Sequence, residues 1–254
     1  MVERVLARDR AILLAGIVII ATLAWAYTVR EAWAMEGMHA GMDMSGVLMT
    51  TWTRHDAILM FLMWTVMMVA MMAPSAAPVV LIYALHSRRL KQQKRPYAPA
   101  GAFLAGYLLV WTGFSLVATV AQWGLQKAAL LSMMMKPTGN VLPGIVLLVA
   151  GVYQWTPLKH ACLRHCRGPL DVLIQGWKPG IRGALSMGIR HGAYCTACCW
   201  FLMALLFAAG VMNLLWVAVI SVFVLAEKAA PRGELIARIG GALLAAGGLW
   251  VLAG

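Results

Sequence analysis

Residues 64–74 read WTVMMVAMMAP, with four methionines in six positions shortly before Pro74. They lie in a long apolar segment, and residues three and four apart share one face of a helix. The stretch predicts a membrane helix with a stripe of thioethers, formed by Met60, Met63, Met67, Met68, Met71 and Met72. Methionine is a flexible apolar filler, so packing alone can explain the stripe. Thioethers also select Cu(I) over harder divalent ions. The alternative to packing is therefore that the methionines form a path of ligands for Cu(I).

The composition of the whole chain indicates a membrane protein. Hydrophobic residues make up 62% of the 254 residues, and charged residues only 12%. Seven apolar segments are near the ~20 residues that a helix needs to cross a bilayer. They are residues 11–29, 56–85, 99–126, 141–157, 184–209, 211–226 and 235–253. We therefore predict an all-α polytopic membrane protein with about seven transmembrane helices in one domain, residues 1–254.

The positive charges predict the orientation of these helices. The formal net charge is +12, and seventeen of the 21 Lys and Arg fall on the side of the N-terminus. Positive residues accumulate in cytoplasmic loops, so we predict a multi-pass protein of the bacterial inner membrane, N-terminus inside and C-terminus outside. Orientation in the lipid bilayer then explains the excess of positive charge, so we expect no nucleic-acid partner. Residues 87–98 and 158–183 become cytoplasmic loops, and residues 227–234 the last internal turn.

The longest external loop, residues 30–55, is rich in possible metal ligands. Ten of its residues include four methionines, one histidine and two acids, separated by small residues. The candidate ligands are Met35, Met38, His39, Met42 and Met44. Packing gives methionine no reason to cluster in a polar loop, whereas thioethers take Cu(I) and imidazole can also take Cu(II). An amphipathic turn on the outer leaflet is the alternative.

Two cysteines occur in the second cytoplasmic loop. Cys162 and Cys166 are four residues apart, which places both thiols on one face if the segment is helical. His160 and His165 are near enough in sequence to supply a third metal ligand. A basic turn at the membrane surface with free thiols explains the same residues equally well, since the cytoplasm is reducing.

The fifth apolar segment carries the other three cysteines. His191, Cys195 and Cys199 follow one another at four-residue intervals, and Cys198 lies beside them on the same helical stripe. A histidine inside a membrane span is costly and marks a functional site by default. Cys195 is expected about 16 Å into the bilayer, close to the depth of Met67. We predict a metal or redox site there, with Met67 and Met71 facing Cys195.

The remaining segments predict structure more than chemistry. Pro74 and Pro78 should kink the second helix, which we expect to end at His86. The third, sixth and seventh helices carry little that suggests chemistry, and the glycines of the third and seventh favour close helix packing.

Two motifs, Trp64-x-x-Met-Met-x-x-Met-Met-x-Pro and His191-Gly-x-x-Cys-x-x-Cys-Cys-Trp, together resemble a known family. The chain resembles an uncharacterised bacterial family of predicted metal-binding integral membrane proteins, over a region from about the second to the sixth helix. The resemblance implies metal binding but no particular ion, reaction or mechanism. It adds weight to Met67, Met68, Met71, Met72, Cys195, Cys198 and Cys199.

Copper handling is the first functional hypothesis. The external loop would capture Cu(I), the second helix would relay it to a site shared with the fifth, and Cys162 and Cys166 would form the cytoplasmic end. The chain shows no ATPase or hydrolase motif, which favours a protein that is not an enzyme by itself. Transfer would then need a gradient, a copper chaperone or a membrane cuproenzyme as partner. The alternatives are a thiol- or quinone-linked oxidoreductase and an accessory structural subunit of a larger membrane complex.

Overall fold

The computed structural model describes residues 2–39, 52–132, 135–168 and 177–254. This part of the chain contains eight helices and no strand, so the predicted all-α fold is confirmed. The helices are α1 (Val2–His39), α2 (Arg54–Gln92), α3 (Ala100–Lys127), α4 (Val141–Tyr153), α5 (Pro157–Arg167), α6 (Gly180–Ala209), α7 (Leu214–Ala229) and α8 (Gly233–Ala253).

Five helices of the described chain are long and apolar enough to cross a membrane: α2, α3, α6, α8 and the Ala11–Ala34 part of α1. Helices α4 and α5 meet at a bend of 68° and add a sixth if they form one broken span. Helix α7 has only 16 residues. Length and composition thus support five or six spans, while the count of seven and the orientation stay predictions.

The bend between α4 and α5 arises at Thr156 and Pro157. Thr156 has an extended backbone (φ −69°, ψ 143°), the conformation that a residue before proline prefers. Its hydroxyl accepts a hydrogen bond from the backbone N–H of Lys159 at 3.3 Å and so caps α5. The chain therefore restarts as a new helix in a different direction, and α5 packs against α6.

Several helix boundaries differ from the expected ones. Helix α1 continues through residues 30–39, the first part of the predicted external loop, and α2 runs to Gln92 instead of ending at His86. Both extensions are rich in Ala, Glu, Met, Leu, Lys, Arg and Gln, which are strong helix formers. Helix α5 occupies the start of the predicted loop 158–183, and α7 includes the first three residues of the predicted turn 227–234.

The core lies where α2, α3 and α6 meet. A Cβ added at Gly188 of α6 would overlap the carbonyl of Phe103 on α3, so glycine is what lets these helices approach closely. The α2 stripe faces this interior: Met63, Met67, Met68, Met71 and Met72 are all at most 5% exposed. These five thioethers therefore lie in the protein interior.

Candidate metal centre

Helix α6 builds the centre of a buried thiol cluster. Cys195, Cys198 and Cys199 are at most 1% exposed. The thiols of Cys198 and Cys199 both donate hydrogen bonds to the Cys195 carbonyl, at 3.1 and 2.8 Å. That carbonyl lies one turn back along the helix, so the helical spacing alone orients these two thiols. The stripe predicted from the sequence is therefore present on the protein-facing side of α6.

Helix α5 brings a fourth cysteine to the same place. The sulfur of Cys166 lies 3.8 Å from the sulfur of Cys198. A disulfide bond is about 2.05 Å long, and all five cysteines of the chain are free and buried. The sequence interpretation separated the Cys162–Cys166 pair from the α6 stripe. The structure joins Cys166 to that stripe.

A lysine and a tyrosine contact the Cys195 sulfur. The ammonium of Lys228 on α7 lies 2.9 Å from it and donates a second hydrogen bond, at 3.1 Å, to the Ser75 hydroxyl of α2. The Tyr107 hydroxyl of α3 lies 3.1 Å from the same sulfur and donates to the Met72 carbonyl at 3.2 Å. Cys195 is thus tied to α2, α3 and α7 at once. A cation beside a cysteine stabilises its thiolate, the form that binds metals.

A buried ion pair lies on the helices that flank the cluster. The Lys159 ammonium on α5 is 2.7 Å from a carboxylate oxygen of Glu227 on α7, and the two side chains are 0% and 1% exposed. The other carboxylate oxygen of Glu227 has no hydrogen-bond partner within the described residues. The pair connects α5, which carries Cys166, to α7, which carries Lys228.

The histidines near the cysteines occupy different surroundings. His191 is 4% exposed and lies beside the rings of Phe103 and Tyr107, with ring centroids 5.8 and 5.7 Å away. His165 stacks on Tyr194 at 4.4 Å, and its Nδ1 lies 3.0 Å from the Ala161 carbonyl. The Nδ1 of His160 has no hydrogen-bond partner in the described part of the chain.

Helix α2 contacts the residues around Cys195 through one methionine carbonyl and one serine hydroxyl. The Met72 carbonyl and the Ser75 hydroxyl provide the contacts described above, whereas the Met60 sulfur accepts a hydrogen bond from the Gln122 amide at 3.5 Å. Met67 and Met71 are buried in the same core as Cys195. That these two methionines face Cys195 directly stays a prediction. Met35, Met38 and His39 fall at the end of α1, while Met42 and Met44 lie outside the described residues.

The donor chemistry of the cluster is soft. Thiols and thioethers select Cu(I) over oxygen-preferring ions. Over residues 2–39, 52–132, 135–168 and 177–254, no three His, Cys, Asp or Glu side chains are arranged to hold a metal ion together. The sulfurs of Cys166 and Cys198, 3.8 Å apart on two helices, suit a soft ion of low coordination number better than a four-ligand site.

Sequence reasoning missed four of the residues that surround the thiols. Tyr107 lies on a helix expected to carry little chemistry, and nothing near it in the sequence marks it. Lys228, Glu227 and Lys159 were assigned to basic cytoplasmic segments, but Lys159 and Glu227 are buried. The available signal was that Glu227 and Lys228 continue an apolar segment without an intervening glycine or proline.

The fold and the cluster define an all-helical protein with apolar helices of membrane-spanning length and a core rich in soft sulfur donors. The sequence model of the PpoB2 family, described as a copper chaperone, matches residues 61–251. The chain belongs to this family, which indicates a copper-related role. No curated protein and no solved structure matches the chain.

Proposed function

We propose that this chain is an integral membrane protein that binds Cu(I) at the buried thiol cluster and passes it on to a partner. The approach of Cys166 to Cys198, 3.8 Å between sulfurs, carries the proposal. Two thiols from different helices can contact one soft ion placed between them, and Cys195 and Cys199 offer further sulfur within one helical turn. Membership of a family described as a copper chaperone supports copper as the cargo.

The surroundings of the cluster suit transient binding. The Lys228 ammonium stands 2.9 Å from the Cys195 sulfur, where it balances the charge of a thiolate before a metal cation arrives. The thioethers of α2 line the adjoining core and are weaker, neutral donors. Ligands of graded strength favour stepwise transfer over permanent retention. In this proposal the methionines and histidine of residues 35–44 capture the ion outside, and a membrane cuproenzyme or chaperone receives it.

Copper analysis of purified protein tests the proposal. The wild type, loaded with Cu(I) under reducing conditions and then separated from free metal, is expected to retain it. Cys166→Ser and Cys198→Ser should each lose most of the bound copper. Cys162→Ser is the matched control, because Cys162 lies one turn from Cys166 on the same helix and is equally buried. Equal copper in all four proteins would contradict a site at the cluster.

A thiol–disulfide oxidoreductase is the second candidate. Cys166 and Cys198 lie on two helices, so a bridge between them avoids the strain of pairing neighbours on one helix. Closing it would remove two protons and two electrons from the thiols and reduce an acceptor such as a quinone to its quinol. Reversible formation of one disulfide, abolished in Cys166→Ser, together with no copper retention by the wild type, would favour this function. Wild-type protein without copper or disulfide would indicate an accessory structural subunit.

A further inference from the structure

Lys228 brings a positive charge into direct contact with the thiol cluster. Its ammonium lies 2.9 Å from the Cys195 sulfur on α6 and 3.1 Å from the Ser75 hydroxyl on α2. The Ser75 hydroxyl in turn donates to the Met72 carbonyl at 2.9 Å, which fixes its own position. Contacts to two different helices therefore hold the ammonium beside the thiols.

The other charged side chains near Lys228 have partners of their own. Glu227, its neighbour in the sequence, is paired with Lys159 at 2.7 Å, so these two charges cancel. Arg167 on α5 donates to two backbone carbonyls in the turn between α7 and α8. Within the residues that the structure describes, Lys228 forms no ion pair with a carboxylate. Its charge is thus available to balance a negative charge on the cluster.

The charge that a bound ion leaves on the cluster depends on the ion. Two thiols that bind one metal ion release their two protons, so they contribute two negative charges. With Cu(I) the thiolates and the ion together keep one negative charge, which the Lys228 ammonium attracts. With a divalent ion they are neutral, and the ammonium adds nothing to binding. A net negative charge without a partner is costly here, because the five cysteines are at most 6% exposed.

We infer that Lys228 makes the cluster selective for monovalent soft ions, Cu(I) and its analogue Ag(I), over divalent soft ions. Sulfur ligands alone do not make this distinction, because thiolates also bind divalent ions such as Zn(II). Lys228 is not a ligand itself, since an ammonium has no lone pair to offer. It determines specificity through its charge. The inference rests on the proposed function and adds the charge of the ion to the softness of the ligands.

Competition binding with two ions of similar geometry tests the inference. Ag(I) and Hg(II) are both soft and both accept two thiolates in a line, so they differ mainly in charge. The purified full chain in detergent is titrated with each ion against a fixed concentration of a soluble dithiol. Lys228→Met should lower the Ag(I) affinity about tenfold or more, because a unit charge a few ångströms away acts on the negative complex. The Hg(II) affinity should change less than about threefold, because that complex is neutral.

Two further variants serve as controls. Lys228→Arg keeps the charge and should keep the Ag(I) affinity, which separates the charge from the shape of the side chain. Lys94→Met removes an exposed positive charge just after α2 and should change neither affinity.

Three results would overturn the inference and leave the proposed function standing. They are equal losses of Ag(I) and Hg(II) affinity in Lys228→Met, an unchanged Ag(I) affinity in that variant, and a loss as large in Lys228→Arg. Equal losses of both ions would make Lys228 a structural residue. A wild type that binds neither Ag(I) nor Cu(I) would contradict the proposed function, and the inference with it.

Discussion

At the scale of single residues, the buried ion pair of Lys159 and Glu227 is especially sensitive to mutation. Removing one partner leaves the other charge buried and uncompensated, whereas replacing both by apolar residues is often neutral. Lys159→Met should therefore lower the free energy of unfolding by about 3–5 kcal/mol. The double variant Lys159→Met with Glu227→Met should recover most of that loss.

Denaturant unfolding in detergent measures both variants. Lys94→Met, an exposed lysine just after α2, is the control and should change stability little. A double variant as unstable as Lys159→Met alone would show that the pair is required for more than mutual compensation.

Helical periodicity was sufficient to predict the α6 stripe of His191, Cys195, Cys198 and Cys199, because residues on one helix keep a known spacing. It could not place Cys166 beside Cys198. That contact depends on the direction in which the chain restarts at Pro157, and no periodic pattern encodes such a direction. Nor could it place the Lys228 ammonium, because a lysine at the end of an apolar segment is normally assigned to the interface.

At the scale of the element, α2 shows how a long apolar helix tolerates proline. Pro74 has no N–H, so the Ala70 carbonyl loses its partner within the helix. The indole N–H of Trp25 on α1 donates to this carbonyl at 3.2 Å. A neighbouring helix thus supplies the missing donor, and α2 continues through both prolines as one helix from Arg54 to Gln92.

Trp25→Phe should cost about 1–3 kcal/mol of stability, because it leaves the Ala70 carbonyl unpaired in the interior. In a Pro74→Ala background residue 74 regains an N–H for that carbonyl, so the same change should cost less. A double-mutant cycle by denaturant unfolding in detergent isolates this coupling from the lost packing of the indole. Strictly additive effects of the two substitutions would contradict the assigned role of Trp25.

At the scale of the whole molecule, the hydropathy pattern located every long apolar helix of the described residues, because a helix able to cross a bilayer requires an unbroken run of apolar residues. It could not separate a broken span from a loop. The segment 141–157 continues beyond a sharp bend into α5, and the short α7 lies below the usual length of a span. The number of crossings therefore depends on packing that the sequence pattern does not contain.

Labelling of the termini determines the parity of the crossings. Seven spans place the two ends on opposite sides, whereas six place them on the same side. The native thiols are buried, so Val2→Cys and Gly254→Cys can be probed with a membrane-impermeant maleimide against low background. We expect Gly254→Cys to react in intact spheroplasts and Val2→Cys only in inverted vesicles. Reaction of both on one side would replace seven by an even number.

Because of the bend at Pro157, one sulfur–sulfur distance in the thiol cluster depends on how two helices are placed relative to each other. Cys195 and Cys199 sit on one helix and keep their spacing when α6 moves as a rigid body. The 3.8 Å gap between Cys166 and Cys198 instead changes with every shift of α5 relative to α6. Helix α5 is short and presents Leu158, 59% exposed, at its start. A partner that displaces α5 at Leu158 would therefore change the distance between the Cys166 and Cys198 sulfurs without altering the spacing of the thiols on α6.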